Sequence, residues 1–237
     1  MRSPAVSIAP GVWRIPTFAH DLVNTFAFVD DDGQVTLVDA GTKSAPKRIV
    51  AGLRQLGSAP SEVTRIIATH AHGDHVGGLS NLRGRTSAPV AVHERDAAYV
   101  REGKGPVLDR STIGGRLFRH GPGATPTTVE EELVDGQVVE VGGGLRVVHT
   151  PGHTPGHVAL LHEPTGVLVT GDAIWNMFSR RSWPIASLCT DHALNEKTAH
   201  VLGELDYEVA AFTHGPEIRD GAREAVRGFL RKKAVVS

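Results

Sequence analysis

The sequence predicts an α/β fold, one domain in which sheet layers carry helices on their outer faces. Three observations predict it. Short β-branched and apolar runs alternate with turn signals along most of the chain, helical spacing is confined to a few segments, and no linker, repeat or low-complexity tract divides residues 1–237. A chain of 237 residues suits one large domain, and 40% hydrophobic residues provide for a sizeable core. Each element must bury its apolar face against another, so clustered strands followed by helices resolve into stacked layers.

The elements follow in order. Thr25–Val29 and Val35–Val38 flank the turn-rich Asp30-Asp31-Asp32-Gly33 and read as a hairpin. Across Ser44–Leu56, Ile49, Val50, Leu53 and Leu56 fall at the spacing of one helix face, and Gly57 stops it. Val63–Thr69 reads as a buried strand, Leu79 and Leu82 as part of a short helix, Val90–His93 as a strand and His93–Glu102 as a helix. Gly103–Thr128 has no clear periodicity. A loop of that length in a compact domain is often a lid, a binding loop or an oligomer contact. Gln137–Val141, Leu145–Thr150, Val158–His162 and Val167–Thr170 read as four short strands, and Val209–Thr213 as a fifth between helices at Asp191–Leu205 and Pro216–Leu230.

Composition excludes several classes of function. A net charge of -1 offers nucleic acid or an anionic membrane no broad basic field. No run of about 18 uninterrupted apolar residues occurs, so no membrane span is expected. Met1–Pro10 lacks the apolar core of a signal peptide. Cys189 is the sole cysteine, which fits a reducing compartment. The expectation is a cytoplasmic protein acting on a small-molecule substrate, without nucleic-acid or membrane partners; oligomeric state is left open.

Histidine is the unusual entry. In Thr69-His70-Ala71-His72-Gly73-Asp74-His75, four potential ligands lie within six residues, directly after an apolar strand. Histidine and aspartate each occupy 13 of 237 positions, so chance would place this pattern in roughly one such chain in five hundred. Neutral imidazole suits zinc, copper, nickel or iron, and carboxylate adds hard oxygen and charge. Six residues do not easily surround one ion with four ligands; two ions sharing the loop are geometrically simpler. A solvated turn capping the next helix accounts for one of the four groups but not for all.

A second cluster, His149-Thr150-Pro151-Gly152-His153-Thr154-Pro155-Gly156-His157, is stiffened by two Pro-Gly turns, and at most one or two of its histidines can point into one site. Asp172 follows Val167-Leu168-Val169-Thr170-Gly171, and His214 follows Val209-Ala210-Ala211-Phe212-Thr213. Each repeats the arrangement at His70: an apolar strand, a threonine at its end, then a metal-type residue. Strand ends along one sheet edge are a sound place to gather ligands distant in sequence.

This series resembles the metallo-β-lactamase superfamily from the Asn24 hairpin to His214. The resemblance implies a four-layer αββα sandwich with the site at one edge of its paired sheets. It implies that His70, His72 and His153 hold one divalent ion and Asp74, His75 and His214 a second, with Asp172 bridging. The ions would be zinc, or else iron or manganese. Asp39 matches a family position beside the site that orients a histidine, while His149 and His157 fall to supporting roles.

Two such ions, about 3.5–4 Å apart, can share a hydroxide because metal binding lowers the pKa of water to about 7. The expected activity is hydrolysis of an ester, lactone or thioester, with Asp74 orienting the nucleophile or passing a proton. Asp172 is followed by Ala173-Ile174-Trp175-Asn176-Met177-Phe178-Ser179-Arg180-Arg181. This differs from the Gly-Gly-Cys-Gly-Arg-like segment of hydroxyacylglutathione thioesterases, from the Cys-Gly-Arg signature of persulfide dioxygenases, and from the tyrosine of quorum-signal lactonases. The alternatives are a mononuclear iron oxidoreductase using His70, His72 and His153, and a phosphodiesterase or nuclease on the same metal core. Arg180 and Arg181 read as a solvated pair before they read as an anion anchor. Trp175, Phe178 and Trp183 read equally as a pocket wall or as loop packing, and His20 as an exposed turn residue.

Overall fold

The computed structural model describes residues 5–234. Its first sheet hydrogen-bonds seven strands in sequence order: β1 (Val6–Ala9), β2 (Val12–Phe18), β3 (Val23–Val29), β4 (Val35–Val38), β5 (Val63–Ala68), β6 (Val90–His93) and β7 (Glu131–Leu133). The first four form an antiparallel meander, and β4 to β7 run parallel. Parallel neighbours need crossovers. These are α1 (Pro46–Gln55), then the pair α2 (Gly73–Val76) and α3 (Leu79–Thr86), then α4 (Glu94–Glu102) with the short α5 (Ile113–Leu117). The second sheet contains β8 (Val138–Val139), β9 (Leu145–His149), β10 (Val158–His162), β11 (Val167–Val169) and β12 (Val209–Ala211), in the order β12-β11-β10-β9-β8. Its one parallel pair, β11 with β12, is bridged by α6 (His192–Thr198) and a 3-10 turn at Ala199–Gly203; α7 (Ala222–Ala234) follows.

Alternation along the strands makes the layers. Successive strand side chains point to opposite faces, so Leu37 and Ile66 meet the helices through Ile49, Leu53, Leu79 and Leu82. Their neighbours Val38 and Ile67 face the second sheet and pack with Val147, Val158, Leu160 and Val169. On the far side, Val148, Leu161, Leu168 and Ala210 meet Leu202, Val226, Phe229 and Leu230. Three apolar cores between four layers make this an αββα sandwich. Both sheets send strand ends, at Ala68, Val169 and Ala211, into the loops that carry the candidate ligands.

Some expected elements shift. The last helix begins at Ala222 rather than Pro216, because Ile218 pairs with Ala210 and extends the second sheet's edge. Asp191–Leu205 divides into α6 and the 3-10 turn. Gly103–Thr128 holds α5 and a Val107–His120 bridge. Residues 1–4 and 235–237 of the expected 1–237 domain lie outside the described residues.

The layering has a measurable consequence. Ile67 is fully buried between the sheets, so Ile67→Ala is expected to cost about 2–5 kcal/mol in urea unfolding. Val201→Ala, at a side chain 38% exposed, should stay within about 0.5 kcal/mol. Equal small effects would mean that the two sheets are not tightly packed.

Candidate metal centre

The seven candidate residues converge on one edge of the sandwich. His70 leaves the end of β5, His72 precedes α2, and Asp74 and His75 lie within α2. His153 comes from the β9–β10 loop, Asp172 from the turn after β11, and His214 from the turn after β12. Three groups have all their ligand-type atoms within 4.8 Å of one another: His70, His72 and His153; His70, His75 and Asp172; and Asp74, His75 and His214. His72 Nδ1 lies 2.9 Å from His153 Nε2, and His75 Nε2 lies 3.3 Å from His214 Nε2. Asp172 Oδ2 stands 3.2 Å from both His153 Nε2 and His214 Nε2, and its Oδ1 is 3.5 Å from His75 Nε2. All are buried except Asp74, whose side chain is 40% exposed; its Oδ2 is 3.5 Å from His214 Nε2.

The imidazoles are held by their outer nitrogens. His75 Nδ1 donates to Asp39 Oδ2 at 2.8 Å, and His214 Nδ1 donates to the Leu22 carbonyl at 2.5 Å. His70 Nδ1 donates to Thr69 Oγ1, whose own hydrogen goes to Asp39. His153 Nδ1 lies 3.4 Å from Cys189 Sγ. Neither a carboxylate nor a carbonyl has a proton to give, so the network places a proton on Nδ1 of His75, His214 and His70 and turns their Nε2 atoms inward. His70 Nε2 is buried with no hydrogen-bond partner, an arrangement that costs free energy unless a cation occupies the position. The donor set fits divalent metal ions.

Supporting residues complete the cradle. Asp39, where φ is +66°, also accepts from Thr69 N at 2.7 Å, tying β4 to the His70 loop. His157 accepts from Asp172 N at 2.7 Å through Nε2 and donates through Nδ1 to Thr150. Gly171 permits this approach: at φ +53°, a Cβ there would stand 2.5 Å from His157 Nε2. The strand-end threonines serve the same cradle, with Thr213 Oγ1 donating to Asp172 Oδ1 at 2.7 Å. His149 stacks on His93 outside the cluster, and His20 is exposed. Trp175 is buried 4.8 Å from the His214 ring, and Trp183 packs on Phe229, while Phe178 and the arginines Arg180 and Arg181 are exposed.

Two residues that sequence reasoning missed hold the loops together. Asp96, fully buried in α4, accepts from Ala71 N, Thr154 Oγ1 and Gly156 N at 2.9, 2.6 and 2.7 Å. The available signal was an acid on α4's apolar side, beside the core residues Ala97 and Val100. Asn24, also fully buried, donates through Nδ2 to the carbonyls of Asp21, Phe212 and Gly215, and its backbone N donates to Thr213 O. Its Oδ1 accepts from Arg14, which is itself ion-paired with Glu217. Asn24 therefore clamps both sides of His214.

Charge divides the cluster. Burial, followed by the neighbouring imidazoles, drives His70 and His72 well below the usual histidine range and His157 down to about 3. Burial opposes protonation of His75 too, but Asp172, Asp74 and Asp39 outweigh it and raise His75 to about 10. Burial likewise disfavours ionised Asp172, yet His214, His75 and His153 hold its carboxyl well below the usual carboxylate range. The side chains by themselves thus set neutral imidazoles at His70, His72 and His157 beside a carboxylate-stabilised cationic His75, a charge that divalent ions would replace.

A sequence model of the metallo-beta-lactamase superfamily matches residues 21–214. The uncharacterized protein YobT of Bacillus subtilis is 32% identical over 68% of this chain and 66% of its own. A hydroxyacylglutathione hydrolase of Halorhodospira halophila is 29% identical over 66% of this chain and 45% of its own. The chain therefore spans under two thirds of the length of both these curated relatives. A crystal structure of a metallo-beta-lactamase family protein from Thermus thermophilus shares 28% identity and a TM-score of 0.72, covering 97% of this chain and 81% of its own. The chain belongs to the metallo-beta-lactamase superfamily, a superfamily of metallo-hydrolases. Among the described residues no helix is long and apolar enough to cross a membrane.

Two outcomes test the cradle. Asn24→Ala leaves buried carbonyls unpaired and should destabilise the protein by about 1–3 kcal/mol in urea unfolding, with weaker cobalt binding; unchanged stability would remove Asn24 from the clamp. The second concerns pH. A histidine lowered from 6.5 to about 3 on folding contributes stability that is present above pH 6.5 and lost as pH falls through that window towards 3. Chelated protein should therefore lose stability over that range in pH-resolved unfolding, less steeply in His157→Asn. An identical slope in the variant would contradict the role of its burial.

Proposed function

We propose that this protein hydrolyses an ester, lactone or thioester of a small molecule and holds two divalent metal ions, zinc in the first instance, with iron and manganese as the other candidates. His70, His72 and His153 would hold one ion and Asp74, His75 and His214 the other, with Asp172 shared. The observation that carries this reading is the position of Asp172 Oδ2, 3.2 Å from a histidine of each triad. Bound there, the ions supply Lewis acidity and lower the pKa of water to about 7.

The chain's own groups do the rest. Asp74, the one partly exposed member of the set, sits where it can orient a water and pass a proton to the leaving group. Asp39 and the Leu22 carbonyl keep His75 and His214 in fixed orientation. Trp175 packs beside the His214 ring, with ring centroids 4.8 Å apart. Cys189 is unsuited as a nucleophile, since burial, followed by Asp172, pushes its thiol up to about 12. The name of the hydroxyacylglutathione hydrolase relative supports including thioesters in the substrate class. The segment after Asp172 gives glutathione itself no support. A cytoplasmic site of action, without nucleic-acid or membrane partners, belongs to the same proposal and rests on the lone cysteine and the net charge of -1.

Protein purified without chelator should carry close to two metals per chain by elemental analysis. His153→Ala should lose metal and nearly all activity, while His157→Ala retains metal; the reverse would displace the ligand register. Zinc-loaded protein should cleave a member of an ester, lactone and thioester panel without oxygen, and Asp172→Ala should be strongly impaired. Oxygen consumption with a persulfide by the iron form, with no hydrolysis by the zinc form, would overturn the assignment in favour of oxygen chemistry.

A further inference from the structure

Exposed apolar surface is concentrated on two segments that border the metal centre. The four most exposed large apolar side chains among the described residues are Phe178 at 80%, Ile113 at 77%, Leu117 at 72% and Phe118 at 65%. Ile113, Leu117 and Phe118 lie on or directly after α5, and Phe178 lies in the segment after Asp172, as does the exposed Ile185. A scatter of single exposed apolar residues needs no explanation, but a concentration of them marks a place where something docks.

Both segments touch the candidate ligands. The α5 segment passes over His72: a Cβ on Gly121 would stand 3.3 Å from His72 Nε2, and Gly73 N donates to the Pro122 carbonyl at 3.2 Å. The other segment starts at Asp172 and donates from Asn176 N to His214 O at 2.8 Å. It meets α5 where Gly114 abuts Ser187, and it ends with Cys189 Sγ beside His153. The two are joined by Asp109 N to Cys189 O at 2.9 Å and Thr190 Oγ1 to Val107 O at 2.7 Å. The two segments are therefore joined into one rim that runs from the His214 side of the centre to its His72 and His153 side, and the exposed apolar side chains are carried on it. Phe178 and Ser179 also hold consecutive left-handed φ values of 54° and 58°, a conformation non-glycine residues rarely adopt.

The rim is cationic as well. Arg110, Arg116, Arg119, Arg180 and Arg181 are exposed on the same two segments, and among the described residues their guanidinium groups take part in no ion pair. Apolar side chains interspersed with arginines that hold no carboxylate partner complement a molecule that has both a hydrocarbon chain and a negative charge.

We propose that this rim binds the acyl chain of an anionic amphiphile, and that the substrate class is a medium- to long-chain acyl ester or thioester carrying a negative charge. This rests on the hydrolase reading above. Cleavage adds water across the acyl bond: the C–O or C–S bond breaks, the acyl carbon gains the hydroxyl as a carboxylic acid, and the leaving oxygen or sulfur takes the proton.

Acyl thioesters of one anionic thiol, from acetyl to decanoyl, test this with the zinc-loaded protein. Wild-type kcat/KM should rise about tenfold or more from acetyl to octanoyl, as partial burial of each added methylene requires. The triple variant Ile113→Ser, Leu117→Ser, Phe118→Ser changes only exposed side chains, and should lose most of that chain-length dependence. Decanoate binding by calorimetry, read without turnover, should weaken about tenfold in the same variant. A flat wild-type profile, or a steep one unchanged in the variant, overturns the proposal. So does a variant that differs only in becoming a monomer where the wild type sediments as a dimer, which would make the rim a self-association surface. If no thioester is cleaved but decanoate binding still depends on the three side chains, the hydrolase reading fails and the rim stands.

Discussion

Five imidazoles and a carboxylate lie buried within one small volume, and the structure around them is organised by the need to hold their outer nitrogens. A buried polar group is costly unless it is paired, and a free imidazole ring can turn about its side-chain torsions. Asp39, Thr69 and the Leu22 carbonyl remove that freedom from His75, His70 and His214. Each support comes from an element other than the ligand's own or from its immediate strand end. The ligand geometry is therefore a property of the sandwich as a whole, not of the His70 loop.

The two sheets contribute unequally to this. β5 of the first sheet and α2 supply His70, His72, Asp74 and His75, while the second sheet supplies His153, Asp172 and His214 from its own strand ends. A centre divided across two layers requires the layers to be locked at that edge. Asn24 does this from β3, bonding to the carbonyls on both sides of His214, and the Arg14–Glu217 pair repeats the lock one strand further out. Asp96 does the same between α4 and the loops carrying His70, His72 and His153. Removing one partner of such a buried pair leaves the other unsatisfied, which costs more than the bond itself contributes.

The parts of this arrangement that follow local rules were legible in the sequence. The His70 loop could be found because its residue types are rare and closely spaced, and the strand–Thr–ligand pattern at Asp172 and His214 repeats it. The β3–β4 hairpin and α1 are announced by turn chemistry and helical spacing. β1 and β2 were not recognised, since Pro10-Gly11 and Pro16 break their apolar pattern and β1 is a short edge strand. β7 has three residues, two of them glutamates, and nothing local marks it as a strand. Asp96 and Asn24 lack a local signal for a different reason: every partner of Asp96 lies 25 to 60 residues away and the Asn24 bonds that clamp His214 span 188 and 191 residues, so only the folded chain gives them a role. Pro216–Leu230 had helical spacing throughout, but the Ile218–Ala210 bridge overrode it before Ala222.

The same contrast separates chemistry from specificity. The candidate ligands sit at the ends of short, buried strands or in turns clamped by buried carboxylates, where a displacement would disturb three packed cores. The rim is built from α5 with its flanking loops between α4 and β7 and from the loop and 3-10 turns between β11 and α6, with Ile113, Leu117, Phe118, Phe178 and its arginines in solvent. Substitutions there change what the surface attracts while leaving the packing of the sandwich intact. One fold can in this way keep a fixed cradle while the side chains around its mouth vary, because Phe178, Ile113, Leu117 and Phe118 lie outside the three packed cores. In this protein the left-handed backbone at Phe178 and Ser179 marks where that freedom begins, only six residues beyond the buried carboxylate of Asp172.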